Sequence, residues 1–150
     1  MHPYEKLTAW QKAHEFTVAA LEAIGRRGGV DHQALRNQLR RAAISVSANI
    51  VEGSSRSTAA QFASFLSIAL GSAREAGYLI RLAADLKVLS QSDRAVLEAR
   101  CDQVCRMIVP LMRHVLGAQS KRTRASRASR ASRATTSRLA DPPPDPDPFD

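Results

Sequence analysis

The sequence predicts an all-α fold, an antiparallel up-down-up-down four-helix bundle followed by a disordered C-terminal tail. Three observations in the first 118 residues predict it. Apolar residues recur at the three- and four-residue spacing of amphipathic helices, no segment shows the alternation of a strand, and the connections between the helical stretches are short. With 150 residues the chain has room for one ordinary domain.

The first predicted helix has its apolar residues on one wide arc and its polar residues opposite. Gly28 and Gly29 are expected to end it, because glycine readily adopts the left-handed conformation of a helix C-cap, and Asp31 can cap the next helix. The apolar arc contains Leu7, Trp10, Ala13, Phe16, Val18, Leu21 and Ile24.

The second helix is predicted from about His32 to Glu52, with Gly53 stopping it. Its apolar stripe is Leu35, Leu39, Ala42, Val46 and Ile50. Thr58, followed three residues later by Gln61, forms a capping box that starts the third helix, which continues to about Lys87.

The fourth helix is predicted to begin at a cap formed by Ser90 or Ser92. Its core face is Leu97, Cys101, Val104, Ile108, Leu111 and Val115. Pro110 lies inside it on the side away from this core face. Proline removes a backbone donor and clashes with the preceding turn, so we expect a kink or a break there.

The third helix is apolar around most of its circumference and keeps only a narrow polar strip. Such a helix must be covered on more than one side. A second copy of the chain would supply that cover, which predicts a homo-oligomer. The alternative is a thick monomer core covered by the first and fourth helices. The apolar residues are Phe62, Phe65, Leu66, Ile68, Ala69, Leu70, Ala73, Ala76, Leu79, Ile80 and Leu82.

A line of polar residues, here called the polar seam, follows the second helix beside its apolar stripe. Its members step by three and four residues, which places them on one face. Ser72 and Glu75 of the third helix are expected to join it. The seam offers no nucleophile with an adjacent base, so we interpret it as structural rather than catalytic. The members on the second helix are Gln38, Arg41, Ser45, Asn49 and Glu52.

Charge divides the chain into a body, residues 1–118, and a tail, residues 119–150. The body has 15 Lys/Arg against 10 Asp/Glu, a net charge of +5, whereas residues 119–138 carry +7 and residues 139–150 carry −4. The tail repeats Arg-Ala-Ser from Arg124 and ends in a run rich in Asp and Pro, so it has no apolar stripe to bury. The basic segment is either a nucleic-acid tether or a neutral expansion of the repeat.

Several functional classes are disfavoured. No stretch has the length of uninterrupted apolar sequence that a membrane span needs, and the start of the chain lacks the pattern of a signal peptide, so a cytoplasmic location is expected. Cys101 and Cys105 lie one helical turn apart without a nearby third ligand, which indicates structural thiols rather than a metal site. No cofactor motif is present, and the sequence predicts a protein that is not an enzyme.

Three stretches resemble a family of small bacterial four-helix bundle proteins, the S23 or ribosomal RNA intervening-sequence proteins. They are LTAWQKAH at 7–14, QLRRAAISVSANIVEG at 38–53, and Phe62, Phe65-Leu66, Ala69 and Gly71-Ser72 with Glu75. The resemblance covers about residues 6–118. Ser47 stands where many members have proline, and Pro110 and the repeat tail depart from the family pattern.

The resemblance implies a cytoplasmic, non-enzymatic bundle that assembles into a ring, most often a pentamer, with a basic surface. Intervening-sequence members are encoded within large-subunit ribosomal RNA genes. Related accessory proteins of diversity-generating retroelements bind a reverse transcriptase and nucleic acid.

Two functional hypotheses follow. The first is an assembly that binds RNA or DNA through its basic surface, with Arg36, Arg40 and Arg41 on the second helix as the candidate contacts. The second is a protein-protein scaffold or accessory subunit, for example of a reverse transcriptase, without direct contact to nucleic acid.

Overall fold

A computed structural model describes residues 2–26 and 32–138. It contains a short 3-10 helix at Pro3–Lys6 and four α-helices, α1 (Thr8–Arg26), α2 (Gln33–Ser54), α3 (Ala59–Asp85) and α4 (Gln91–Arg138). These described residues include no strand. The chain forms two compact units, Met1–Leu116 and Gly117–Asp150, and the four-helix bundle is the first of them.

Each helix of the bundle contacts its neighbours in chain order, and α4 returns to α1. In each pair the residue numbers run in opposite directions, as Thr17 with Ala43 and Ile24 with Arg36 illustrate for α1 and α2. The predicted antiparallel four-helix bundle is therefore confirmed. The linking contacts are Thr17 Oγ1 to Ala43 O at 2.8 Å, Ser45 Oγ to Ser72 Oγ at 2.9 Å, Cys101 Sγ to Ala73 O at 3.0 Å and Arg100 Nη1 to Glu15 O at 3.1 Å.

The core combines a few large side chains with many alanines. The predicted stripes supply Phe16, Leu39, Leu66, Ile80 and Ile108, all fully buried. Alanines fill the remaining interhelical positions, which lets the helices approach closely. They include Ala13, Ala20, Ala43, Ala69, Ala73 and Ala76.

The starts of α3 and α4 have predicted caps, whereas the N-cap residue of α2 is His32, whose side chain makes no capping hydrogen bond. Thr58 Oγ1 accepts the backbone N–H of Gln61 at 3.2 Å, and Ser90 Oγ accepts the N–H of Asp93 at 3.0 Å. Ser90, rather than Ser92, is thus the cap of α4. Gly28, Gly29 and Asp31, predicted to end α1 and cap α2, lie outside the described residues.

The sequence predicted that Gly53 would stop α2, but this residue lies inside the last turn of the helix. It is buried against the start of α3. A Cβ built at Gly53 would lie 2.7 Å from Cβ of Phe65 and 2.8 Å from Cδ2 of Phe62. The missing side chain therefore permits close packing of α2 on α3 and has no role in ending the helix.

Pro110 lies within α4, which continues past it to Arg138 without a break. The proline side chain is exposed, on the side away from the core as predicted. Helical structure also includes residues 119–138, where the sequence predicts none. Alanine and arginine are good helix formers, and extending an existing helix avoids the cost of nucleation. Residues 139–150 lie outside the described residues.

Across the described part of the chain, no helix combines the length and the apolar character needed to cross a bilayer.

Candidate nucleic-acid interface and polar seam

The centre of the polar seam is a hydrogen-bonded cluster that links α2 to α3. Asn49 Nδ2 donates to the Ser45 backbone carbonyl at 2.7 Å and lies 2.9 Å from Ser45 Oγ, which is itself 2.9 Å from Ser72 Oγ. All three side chains are half-buried. Asn49 therefore holds the Ser45 hydroxyl in position between the two helices.

The part of the seam from Gln38 to Ser45 lines an open recess between α2 and α3. Gln38, Arg41 and Glu75 stand around Ser45 and Ser72, enclosing about 370 Å³. Arg41 and Glu75 are exposed. Neither takes part in an ion pair within 4.0 Å among the described residues. The recess thus brings one positive and one negative side chain to the surface beside the serine pair.

Glu52, the last member of the seam, turns away from Asn49. Its carboxylate forms an ion pair with Arg56, one turn further along the chain. The Arg56 guanidinium in turn lies 4.7 Å above the Phe65 ring of α3. Glu52 therefore contacts the junction between α2 and α3 through Arg56.

Arg36 differs in its surroundings from the other two candidate arginines. It is buried, with 8% of its surface exposed, and its Nη1 donates to the backbone carbonyl of Ile24 at 2.9 Å. The carbonyls in the last turn of a helix have no partner within the helix, and a guanidinium there also complements the helix dipole. This geometry gives Arg36 a structural role at the end of α1.

Arg40 and Arg41 lie on the solvent side of α2, which we call the α2 outer face. Arg41 is exposed and Arg40 half-buried. Asn37 Oδ1 accepts from Arg40 Nη1 at 2.8 Å and from Gln33 Nε2 at 3.1 Å. The ion pairs of the described residues use other cations, so no acidic side chain neutralises either arginine within 4.0 Å. The α2 outer face comprises Gln33, Asn37, Arg40, Arg41 and Ile44.

The apolar excess of α3 divides into a buried and an exposed part. Leu70, Leu79 and Phe62 pack against the core, whereas Ile68 and Tyr78 expose 50% and 65% of their surface. Within Met1–Leu116, the bundle thus covers much of α3 by itself but leaves one side open. This side, which we call the α3 outer face, comprises Ser64, Ile68, Gly71, Glu75, Tyr78 and Leu82.

The two cysteines meet where α4 packs on α3. Cys101 is buried and donates to the Ala73 carbonyl, and Cys105 is half-buried beside it. A hydrogen bond from Cys101, together with the charges of Arg74 and Arg106, lowers the pKa of Cys105 to about 7, against burial and Asp102. Hydrogen bonding to Cys105 and burial raise the pKa of Cys101 far above its ordinary value. Sequence reasoning had treated both thiols as inert.

Two interactions had no clear signal in the sequence. Thr17 Oγ1 lies 3.2 Å from Ser47 Oγ, a polar link between α1 and α2 at the position where the family pattern has proline. The second is the edge-on contact of Trp10 with Tyr4, with ring centroids 4.9 Å apart, which depends on the 3-10 helix that precedes α1. The stacking of Trp10 on His14 at 5.2 Å, by contrast, is what a helical wheel predicts.

The fold defines the class of protein: a small all-α bundle with exposed polar and apolar side chains on α2 and α3. Among the described residues, no group of three His, Cys, Asp or Glu side chains could hold a metal ion. Every buried side-chain nitrogen or oxygen there has a hydrogen-bond partner. The chain belongs to the 23S rRNA-intervening sequence protein family, whose model matches residues 5–110.

A solved structure has the same fold. It is a protein of unknown function from the S23 ribosomal protein family of Bacteroides thetaiotaomicron, with a TM-score of 0.63 and 20% sequence identity. The similarity covers 70% of this chain and 98% of that one. The comparison with curated proteins gives no match.

Proposed function

We propose that this protein is a non-enzymatic homo-oligomer of the cytoplasm that binds the phosphate backbone of nucleic acid through the α2 outer face. The observation that carries the proposal is the pairing of Arg40 and Arg41 on one solvent-facing surface, with no carboxylate of the described residues within 4.0 Å of either. Arginines in this setting attract polyanions, and phosphate binding releases counterions whatever the base sequence.

Asn37 supports the same interpretation. Its carbonyl oxygen is used by Arg40 and Gln33, which orients the side chain on the exposed face. Its amide nitrogen then remains as a neutral donor beside Arg40, and phosphate oxygens accept from such donors as well as from arginine. The net charge of +5 on residues 1–118 adds a favourable field around this face.

Assembly would raise the affinity for nucleic acid above that of a single copy. We assign the contact between copies to the α3 outer face, where Ile68 and Tyr78 are exposed. Each added copy contributes one α2 outer face, and simultaneous contacts along one strand raise the overall affinity. A ring of five copies is the first arrangement to test.

RNA is the first polyanion to test, since the name of the family refers to an intervening sequence of 23S rRNA. The experiment is filter binding of the full chain to a hairpin RNA and to duplex DNA of equal length over a salt series. Changing both Arg40 and Arg41 to Gln removes two phosphate contacts per copy, so the duplex salt slope should fall by about 1.8 for each copy in contact with the duplex. The matched control changes Arg106 and Arg113, two exposed arginines of α4, to Gln.

Equal losses in the two double variants would contradict a site on α2 and indicate a diffuse charge effect. An intact oligomer that binds neither nucleic acid at low salt would overturn the proposal and favour the protein-protein scaffold. In that case the α2 outer face, with its exposed Ile44, would be the first surface to test for a protein partner such as a reverse transcriptase, because contacts between copies cover the α3 outer face.

A further inference from the structure

We propose that Cys105 is a site of thiol-disulfide exchange with low-molecular-weight disulfides, seated in the pocket between α3 and α4. The pocket encloses about 300 Å³, at the lower end of small-molecule sites. It is formed by residues of both helices, and Cys105 lies in its wall. The inference is independent of nucleic-acid binding and of assembly.

The charged groups around the thiol favour its ionised form. Arg74 stands opposite on α3, and Arg106 follows Cys105 on α4, and neither is in an ion pair among the described residues. Arg81 is engaged by Glu98 at 3.6 Å, which leaves Asp102 as the opposing charge. Reactive thiolates in proteins occur in such partly exposed, electropositive surroundings.

Cys101 distinguishes this site from an ordinary surface cysteine. Its buried thiol donates to the Ala73 carbonyl at 3.0 Å and lies one helical turn before Cys105, in the wall of the same pocket. When Cys105 loses its proton, the single S–H hydrogen of Cys101 can turn from this carbonyl to the new negative charge. Cys101 is thus a positioning residue that remains a thiol.

The chemistry balances with the disulfide as oxidant. Cys105 releases its proton to solvent, and the thiolate attacks one sulfur of the small disulfide. A new bond forms between Cys105 Sγ and that sulfur as the original S–S bond breaks. The other half leaves as a thiolate with the electron pair, so Cys105 is oxidised to a mixed disulfide and one half of the reagent is reduced.

The expected gain in rate is modest, which determines the choice of readout. At pH 7 a thiol with pKa near 7 is about half ionised, roughly 15 times more than an ordinary thiol. The nucleophilicity of a thiolate falls as its pKa falls, which removes about fivefold of this gain. The net advantage is about threefold. The pH profile and the choice of cysteine are therefore more decisive than the absolute rate.

The test treats the reduced full chain with oxidised glutathione and locates the adduct by peptide mass spectrometry. Neutral iodoacetamide, applied over pH 5.5–9.5, gives the midpoint of the rate profile without an effect of reagent charge. The variants are Cys105→Ser, Cys101→Ala and Arg74→Gln. Arg113→Gln is the control, since it removes an exposed arginine two turns further along α4. Circular dichroism verifies the fold of each.

We expect the adduct on Cys105, none in Cys105→Ser, and a midpoint near 7 that rises in Cys101→Ala and Arg74→Gln but not in Arg113→Gln. Modification of Cys101 in preference to Cys105 would overturn the proposal. So would a wild-type midpoint near the 8.5 of a free cysteine. An unchanged midpoint in Arg74→Gln and Cys101→Ala would equally contradict it, because neither group would then act on the thiolate.

Discussion

The hydroxyl oxygens of Ser45 on α2 and Ser72 on α3 lie 2.9 Å apart, and Asn49 lies 2.9 Å from the same Ser45 hydroxyl. A pair of hydroxyls can exchange the roles of donor and acceptor, but the Asn49 amide only donates. Ser45 Oγ therefore accepts from Asn49, and either hydroxyl can be the donor in its bond with Ser72. One amide thus holds in place the hydroxyl that links the two helices.

Replacing Asn49 by Ala should lower the free energy of unfolding by about 1 kcal/mol, the net value of a hydrogen bond that is not fully buried. Urea denaturation followed by circular dichroism measures the change. Asn37→Ala, on the exposed side of the same helix, is the control and should have a smaller effect. Should Asn49→Ala keep its stability and its oligomer but lose a binding activity, the seam is a binding site instead.

Ile68→Glu should reduce the mass of the particle in light scattering, because a charge would be placed in the proposed contact on the α3 outer face. Val96→Glu on α4 is a matched control, since Val96 and Ile68 expose 51% and 50% of their surface. A monomeric wild-type protein at micromolar concentration, or equal effects of the two variants, would contradict an interface at Ile68.

Gly53→Ala should destabilise the bundle by about 1 to 3 kcal/mol, the usual cost of overpacking a tight contact. The added methyl would meet the Phe65 Cβ and the Phe62 ring, and the Phe65 atom belongs to a part of the side chain that cannot turn away. Gly25→Ala has nothing within 4 Å of the new Cβ and should be neutral or slightly stabilising. Thermal denaturation of both variants tests this contrast.

The cap of α4 should make the free energy of unfolding depend on pH in the acidic range. A hydrogen bond from Ser90, assisted by Arg26, lowers the pKa of Asp93 below its ordinary 3.8. The unfolded chain therefore binds this proton more readily than the folded protein. The stabilisation is complete above about pH 5 and is lost as the pH falls through the folded pKa.

Asp93→Asn should accordingly unfold more easily than wild type at pH 7, and the difference should shrink towards pH 3. Urea midpoints at the two pH values measure it. Asp85→Asn, which removes an exposed carboxylate 3.6 Å from Arg94, is the control and should give a small difference. A constant difference between Asp93→Asn and wild type at all pH values would show that the carboxylate charge is not responsible.

Deleting residues 119–150 should leave the bundle and its oligomer intact, since the core residues that the structure describes all precede residue 119. Nucleic-acid affinity should fall and its salt dependence should become shallower, because seven positive charges are removed with the repeat. Deleting only 139–150 should instead strengthen binding, since the four acidic groups compete for the basic segment. Identical salt slopes for the full chain and both deletions would show that the repeat does not contribute to binding.

The sequence by itself determined the helices, their order and most of the core. Leu39, Ile50, Leu66 and Ile108 follow the 3.6-residue period that places them on buried faces, and they are buried. Thr58 acts on donors only a few residues away, so its cap was also readable from local sequence. Periodicity and capping are properties of a single helix, which is why a single chain segment reveals them.

The tertiary structure decided which residues on one face of a helix are buried against a neighbouring helix and which stay at the surface. Arg36 and Arg40 are four residues apart on one helix, yet the first is buried against the end of α1 and the second is only half-buried. Gly53 looked like a helix stop, because the ring of Phe62 that requires its missing side chain comes from another helix. The spacing of residues on α4 likewise did not predict that Arg74 of α3 would lie near Cys105. Burial, close approach and pKa depend on atoms brought together by packing, and one helix does not contain them.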